Sequence, residues 1–231
     1  MASTTPVVLF WSGGKDAALA YMALHASPEY QVVALLTTLS GDGEWVPMHG
    51  IHRDVIARQA KALGEMWVPV ALPDQPSNEV YESALEQAFA EHLPDVVSVI
   101  ASGDVFLQDV RDYRAQLIRS CGYEPLFPLW GCDTATWIDR WTAAKGLARV
   151  NSVDLNQLSP AYIGRPYDAA FVADLPAAVD AAGEKGAFHT VVTDLARFAG
   201  PVPIRLGPHD DSGPTTYAPV LLKAEQTTGT R

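Results

Sequence analysis

Between Pro6 and Leu24 the chain commits itself to one kind of architecture. An apolar run, Pro6-Val7-Val8-Leu9-Phe10-Trp11, leads directly into Ser12-Gly13-Gly14-Lys15-Asp16 and then into Ala17-Ala18-Leu19-Ala20-Tyr21-Met22-Ala23-Leu24. Apolar residues at successive rather than alternate positions predict a strand covered on both faces, and the segment after the glycines predicts a helix. The pattern recurs. Further apolar runs at 31–38, 66–72 and 96–102 read as buried strands. Between them, 53–63 and 78–92 carry helical spacing: Val55, Ile56, Gln59, Ala60 and Leu63 share one face, as do Tyr81, Ala84, Leu85, Ala88 and Phe89, and Gly64 stops the first helix. Alternating strands and helices imply an α/β chain with a parallel sheet, flanked by helices and joined by right-handed crossovers.

After about residue 124 this rhythm breaks. Proline and tryptophan accumulate in Pro125-Leu126-Phe127-Pro128-Leu129-Trp130-Gly131. A helix is expected from Asp133, its carboxylate serving as N-cap and Trp137, Ile138 and Trp141 lying on its inner face. Beyond it the sequence predicts a short strand near 147–151, broken helical turns over 155–178, strands at 187–193 and 201–206, a loop at 207–214 and a last strand from Tyr217 to Lys223. The expected organisation is a domain over 1–124, a smaller mixed α+β domain over 125–223 on the substrate side, and a disordered tail over 224–231.

The glycine turn carries the first chemical expectation. Glycines let backbone approach an oxyanion without an intervening Cβ, and N–H groups there point outward at the positive end of a helix dipole. Ser12, Gly13, Gly14, Lys15 and Asp16 therefore read as a phosphate site at the carboxyl edge of the sheet, where open α/β folds bind ligands. The run lacks the spacing of G-x-x-x-x-G-K-[ST] and of G-x-G-x-x-G. Leu36, Thr37 and Thr38, at the tip of the second strand, are candidates for an adenine slot.

Other strand ends add to it. Gly103-Asp104 follows the run 96–102, and a carboxylate there can hold Mg²⁺, as can Asp16; arginines at 111 and 114 can clamp an anion. The competing reading of that helix is a solvated face whose charges pair with one another. His49 and His52 form an H-x-x-H pair without a third ligand nearby, so His49 is the better candidate for contact with nucleotide or substrate. Glu184 and His189, in Gly183-Glu184-Lys185-Gly186-Ala187-Phe188-His189-Thr190, would reach across from the second domain.

Charge and cysteine content narrow the partners. The 231 residues carry a net charge of −11, against the clustered Lys and Arg that nucleic-acid backbones require, so no nucleic acid is expected. Two cysteines, Cys121 and Cys132, without a Cys-x-x-Cys, indicate neither a disulfide framework nor a zinc ribbon. No apolar run approaches the roughly 20 residues needed to span a bilayer. A soluble cytoplasmic protein is expected, with no membrane partner and a homo-oligomer left open.

Taken in order, Ser12 to Asp16, Met48-His49-Gly50 with Gln59-Ala60 and Leu63-Gly64, Gly103-Asp104, Pro128-Leu129-Trp130-Gly131 and Gly183-Glu184-x-Gly186-x-Phe188-His189-Thr190 resemble the diphthine-ammonia ligase family over residues 6 to 206. That family belongs to the PP-loop ATP pyrophosphatases. The resemblance implies a Rossmann-like, adenine nucleotide α-hydrolase-like domain, ATP and Mg²⁺, and an acceptor carboxylate, on a protein side chain or a small molecule, that is adenylated and then amidated by ammonia. It implies a catalytic set of Lys15, Asp16, Asp104, Glu184 and His189, with Ser12, Gly13, Gly14, Leu36, Thr37, Thr38, His49 and Gly103 around the nucleotide. The chain departs from the family's usual pattern at Ala17, which replaces a serine, and at Ala182 and Ala187, which replace a cysteine and an acid. These changes touch amidation more than nucleotide binding. The rival expectations are a non-catalytic adenine-nucleotide sensor and a sulfur transferase acting on tRNA; the acidic charge and the lack of paired cysteines oppose the second.

Overall fold

The computed structural model describes residues 4–41, 43–183, 185–210 and 215–223. In chain order it forms β1 (Thr5–Phe10), α1 (Lys15–Ala26), β2 (Tyr30–Leu39), β3 (Trp45–Val46), β4 (Ile51–His52), α2 (Arg53–Leu63), β5 (Met66–Ala71), α3 (Asn78–His92), β6 (Val99–Ala101), α4 (Gln108–Ser120) and β7 (Glu124–Leu126). There follow α5 (Trp137–Ala143), β8 (Leu147–Asp154), α6 (Ala169–Ala173), β9 (Phe188–Asp194), β10 (Ile204–Leu206), β11 (Thr215–Tyr217) and β12 (Val220–Leu222).

Five strands make a parallel sheet in the order β5-β2-β1-β6-β7. From β1 the chain moves outward through β2 to β5, then returns to the other side of β1 for β6 and β7. The connections change direction between β1 and β6, which opens a crevice at the carboxyl ends of those two strands. Helices cover both faces: Val55 and Ile56 of α2 and Leu19 and Leu24 of α1 join Val7, Leu9 and Leu35 in one buried cluster. Leu85 and Phe89 of α3 and Leu117 and Ile118 of α4 join Val8, Leu36 and Ile100 in the other. Alternate residues of β1 thus serve opposite clusters, as a strand buried on both sides requires. Both edge strands contain a proline, Pro69 in β5 and Pro125 in β7, where a missing N–H is tolerated.

The helix ends follow local chemistry. Ser77 Oγ accepts the Val80 N–H at the start of α3, and His52 Nδ1 accepts the Asp54 N–H at the start of α2. Gly64 closes α2 in the left-handed conformation, φ +78°.

Among the described residues, two smaller sheets complete the fold. An antiparallel sheet has the order β11-β8-β9, and a mixed sheet the order β10-β12-β4-β3. The second is stitched from distant parts of the chain, since β12 pairs in parallel with β4 through Val220 and Ile51. The cluster beneath α1 and α2 also takes in Trp137, Trp141, Val150, Phe171, Phe188 and Val191.

Several expected boundaries move. The chain turns at Asp95-Val96, with the Val97 N–H bonded to Pro94 O, and pairs in the sheet only from Val99, so β6 is short. The expected helix at Asp133 begins instead as a 3-10 turn over Thr134–Thr136, and α5 proper starts at Trp137. Asp133 contributes its backbone carbonyl, which accepts from the N–H and the hydroxyl of Thr136. The strand expected at 147–151 runs on to Asp154, because β9 and β11 pair along both of its sides. The expected last strand from Tyr217 to Lys223 is two strands, β11 and β12, which turn at Ala218-Pro219 and enter different sheets. The expected disordered tail lies outside the described residues.

Candidate functional site

A cleft of about 400 Å³ occupies the crevice between β1 and β6. Ser12 and Asp16 line it from the β1 side, Gly103 and Asp104 from the end of β6, and Leu36, Thr37 and Thr38 from the end of β2. His49 closes it from the β3–β4 loop, and Gly183, Gly186, Phe188 and His189 from the segment leading into β9.

The glycine turn is held from below. Gln59 is fully buried on α2; its Oε1 accepts the Trp11 Nε1–H at 2.9 Å, and its Nε2 donates to Gly13 O at 3.1 Å and Val192 O at 2.8 Å. The Val192 N–H also donates to Gly13 O. One side chain therefore fixes the first strand, the turn and β9 together. Gly13 has φ +82°, and a Cβ there would stand 2.6 Å from Ile56 Cδ1 and 2.8 Å from Gln59 Oε1, so both conformation and space demand glycine. Ser12 Oγ accepts the Gly14 N–H, and Thr190 Oγ1 accepts the Lys15 N–H. The N–H groups of Ser12, Gly13, Asp16 and Ala17 have no acceptor among the described residues. Those of Asp16 and Ala17 are free donors of the first turn of α1, and those of Ser12 and Gly13 belong to the turn before it.

Lys15 does not line the cleft. Its side chain is 2% exposed, with Nζ 2.9 and 3.0 Å from the two Asp16 carboxylate oxygens and 5.1 Å from the Phe188 ring centroid. The ammonium sits behind the cleft wall, and Asp16 stands between it and the open space. On the facing side, a Cβ on Gly103 would come within 3.0 Å of Asp16 O, so glycine is what lets the end of β6 lie against the first turn of α1. Asp104, next along, has Oδ2 2.9 Å from Arg114 Nε, a contact with the distance of an ion pair but without hydrogen-bond alignment. Arg114 also lies over the Phe10 ring at 5.0 Å, whereas Arg111 turns away to stack on Trp130 at 4.4 Å. The two arginines do not form a joint clamp. Part of the α4 surface pairs with itself, as in the bond from Gln108 Nε2 to Asp112 Oδ1.

His49 and His189 meet across the cleft wall, ring centroids 4.4 Å apart. Pro47 O lies 3.1 Å from His49 Nδ1, and a carbonyl can only accept, so Nδ1 carries the proton and Nε2 keeps its lone pair. Burial lowers the basicity of both rings. For His49 this outweighs the Pro47 hydrogen bond and the Asp16 charge, which raise it; for His189 the neighbouring His49 and Lys15 lower it further. Asn151 Nδ2 donates to the His49 carbonyl and ties the loop to β8.

No protein-family model and no curated protein matches the chain.

Ser12, Asp16, Leu36, Thr37, Thr38, His49, Gly103, Asp104 and His189 thus come together around one space, with Gly13, Gly14 and Lys15 behind it. Glu184 lies outside the described residues. Thr37 is committed structurally: its hydroxyl donates to Trp11 O and accepts from Trp67 Nε1. The sequence marks Gln59 as a helix-face residue and as part of the Gln59-Ala60 motif but gives it no role at the turn, and it does not mark Phe10 or Tyr81 as site residues, though both line the cleft. A glutamine on an otherwise apolar face was the available signal for the first; nothing in periodicity marks the other two. His52 turns from the cleft to Glu44 Oε2 at 2.8 Å. No group of three or more metal-ligating side chains occurs among the described residues. Two carboxylates beside free N–H donors suit a cation that arrives with a polyphosphate.

Proposed function

We propose that the cleft binds ATP with Mg²⁺ and that the protein is a PP-loop, nucleotide α-hydrolase-like ligase which adenylates a carboxylate and passes it to ammonia. The observation that carries this reading is the set of free N–H groups at Ser12, Asp16 and Ala17 beside the Asp16 and Asp104 carboxylates, at the point where the strand order reverses. The resemblance to the diphthine-ammonia ligase family supplies the reaction class. The amides would hold the β and γ phosphates, and the tip of β2 with Phe10 and Tyr81 would enclose the base. Asp16 and Asp104 would hold Mg²⁺, which neutralises charge on the departing pyrophosphate. An acceptor carboxylate oxygen attacks the α phosphorus and its bond to the bridging oxygen breaks, giving acyl-adenylate and pyrophosphate. Ammonia then attacks the acyl carbon, AMP leaves, and the nitrogen loses a proton. Positioning and charge stabilisation do most of this work.

One observation favours a sensor without turnover. Ala182 and Ala187, where the family has a thiol and an acid, are 1% and 2% exposed within the core. Pyrophosphate release separates the two readings.

The test is a thermal shift with Mg²⁺ and ATP, ADP or AMP on the native chain and on Asp16→Asn and Asp104→Asn. At about 100 times the dissociation constant, a ligand stabilises by ~2.7 kcal/mol. A rise with MgATP that both variants lose, accompanied by pyrophosphate release when acceptor and ammonium are supplied, is expected of the ligase; a rise without release is expected of the sensor. No shift with any nucleotide refutes both.

A further inference from the structure

A second cavity of about 260 Å³ opens beside the cleft, and Val46, Pro47 and Met48 line both, so one short loop forms the partition. The remainder of its wall is Ser40, Trp45, Gly50, Tyr217 and Pro219. Among the described residues no charged side chain lines it, whereas the cleft is lined by Asp16, Asp104 and Arg114.

The wall is built by close packing across the fold. Gly50 has φ +59°, and a Cβ there would stand 2.7 Å from Tyr217 Cδ2, so the ring lies directly against the backbone. Tyr217 of β11 and His189 of β9 both stand opposite Ser152 of β8 in antiparallel register. One face of one sheet therefore gives a wall to each cavity, and between them the Ser152 Oγ is buried with no partner among the described residues. At the shared rim, Met48 holds φ +63° and is 76% exposed, more than any other large apolar side chain among the described residues. A left-handed non-glycine residue costs energy that its surroundings must offset. Here that conformation leaves a flexible thioether at the passage between the cavities, where it can adapt to a guest.

We propose that this cavity is the acceptor subsite of the same centre, receiving the apolar or aromatic body of a monocarboxylic acid whose carboxylate passes Met48 into the cleft; the proposal rests on the reading of the cleft as an ATP site. Size and polarity set the class. An apolar cavity of about 150 Å³ takes benzene, so the space here holds a phenyl or branched alkyl group with a short chain. A second carboxylate would face Trp45, Tyr217 and Pro219 with no cationic partner among the described residues, which is costly.

Saturation-transfer NMR with 3-phenylpropionate, 4-methylpentanoate and glutarate tests this on the native chain, on Ser40→Leu, which fills the cavity, and on Met48→Gly, which relieves the backbone but removes the thioether. The two apolar acids are expected to bind and glutarate not to. Ser40→Leu should weaken them at least tenfold with the MgATP thermal shift unchanged, and Met48→Gly should weaken them several-fold. With MgATP and ammonium, the apolar acids should stimulate pyrophosphate release. Failure of both to bind, equal binding of glutarate, or indifference to both substitutions overturns the proposal. A native chain that binds the acids but shows no MgATP response keeps the apolar site and refutes the ATP reading instead.

Discussion

Gln59 shows how a single polar residue can decide the shape of a turn it does not belong to. Its amide satisfies Trp11, Gly13 and Val192 where water has no access, so Gln59→Leu leaves a buried indole N–H unpaired and takes away a donor to each of two carbonyls. Unsatisfied buried groups cost about 1–3 kcal/mol each and such losses are not additive, so we expect about 2–5 kcal/mol of destabilisation, read as a lower urea midpoint. The effect should reach the glycine turn as well, weakening any nucleotide response. The histidine pair makes a prediction in pH. Both folded rings are less basic than in the unfolded chain. Below an unfolded pKa of about 6.5, the unfolded state takes up protons that the folded rings refuse, so stability falls as pH drops; above it, these rings add no pH dependence. The melting temperature should decline from about pH 6.5 towards 5, ahead of carboxylate titration, and His189→Asn should flatten that slope. An unchanged slope would mean that the pair is not held neutral. At this scale the sequence marks residue types but not directions: Lys15 reads as a phosphate ligand, yet its ammonium lies behind Asp16, and Arg111 and Arg114 read as a pair, yet they point to different aromatic groups.

Elements with a strong hydrophobic period were legible, and those defined by pairing were not. The helices 53–63 and 78–92 and the first three long strands declare themselves because each must present apolar residues to a covered surface. The β3–β4 hairpin has two residues in each strand, too few to show a period, and exists because β12 returns to pair with β4. Likewise, nothing in Tyr217 to Lys223 announces that Ala218-Pro219 is a corner between two sheets. This dependence is testable. Deleting residues 203–231 removes β10, β11 and β12, along with the bond from the Ala218 N–H to Asn151 O. Hydrogen exchange should then rise at least tenfold over Trp45–His52 while β1, β2 and β6 stay protected; protection retained at Trp45–His52 would show that the hairpin stands without its partner strand.

For the molecule as a whole, the two faces of the parallel sheet stand in different relations to the chain. Every buried residue of the cluster on the α3 and α4 side lies between Val8 and Ile118, so that face is complete within the first half of the sequence. The cluster on the α1 and α2 side runs from Val7 to Val220 and depends on α5, β8 and β9 for its cover. Backbone bonds bind the same halves: Val192 N–H to Gly13 O, and Ala199 N–H to Ala62 O. A fragment of residues 1–124 therefore keeps one core intact and exposes the apolar surface of Val55, Ile56 and Leu19 on the other. We expect it to retain helical far-UV circular dichroism while losing near-UV signal and binding a hydrophobic dye, the behaviour of a compact state without fixed packing. The full chain, by contrast, should unfold in urea with coincident transitions by circular dichroism and tryptophan fluorescence, because Trp11, Trp137 and Trp141 belong to the shared cluster. A fragment with sharp, cooperative unfolding and no dye binding would show that the first half carries its own complete core. In that case the glycine turn, which takes bonds from Thr190 and Val192, would be the place to look for what it had lost.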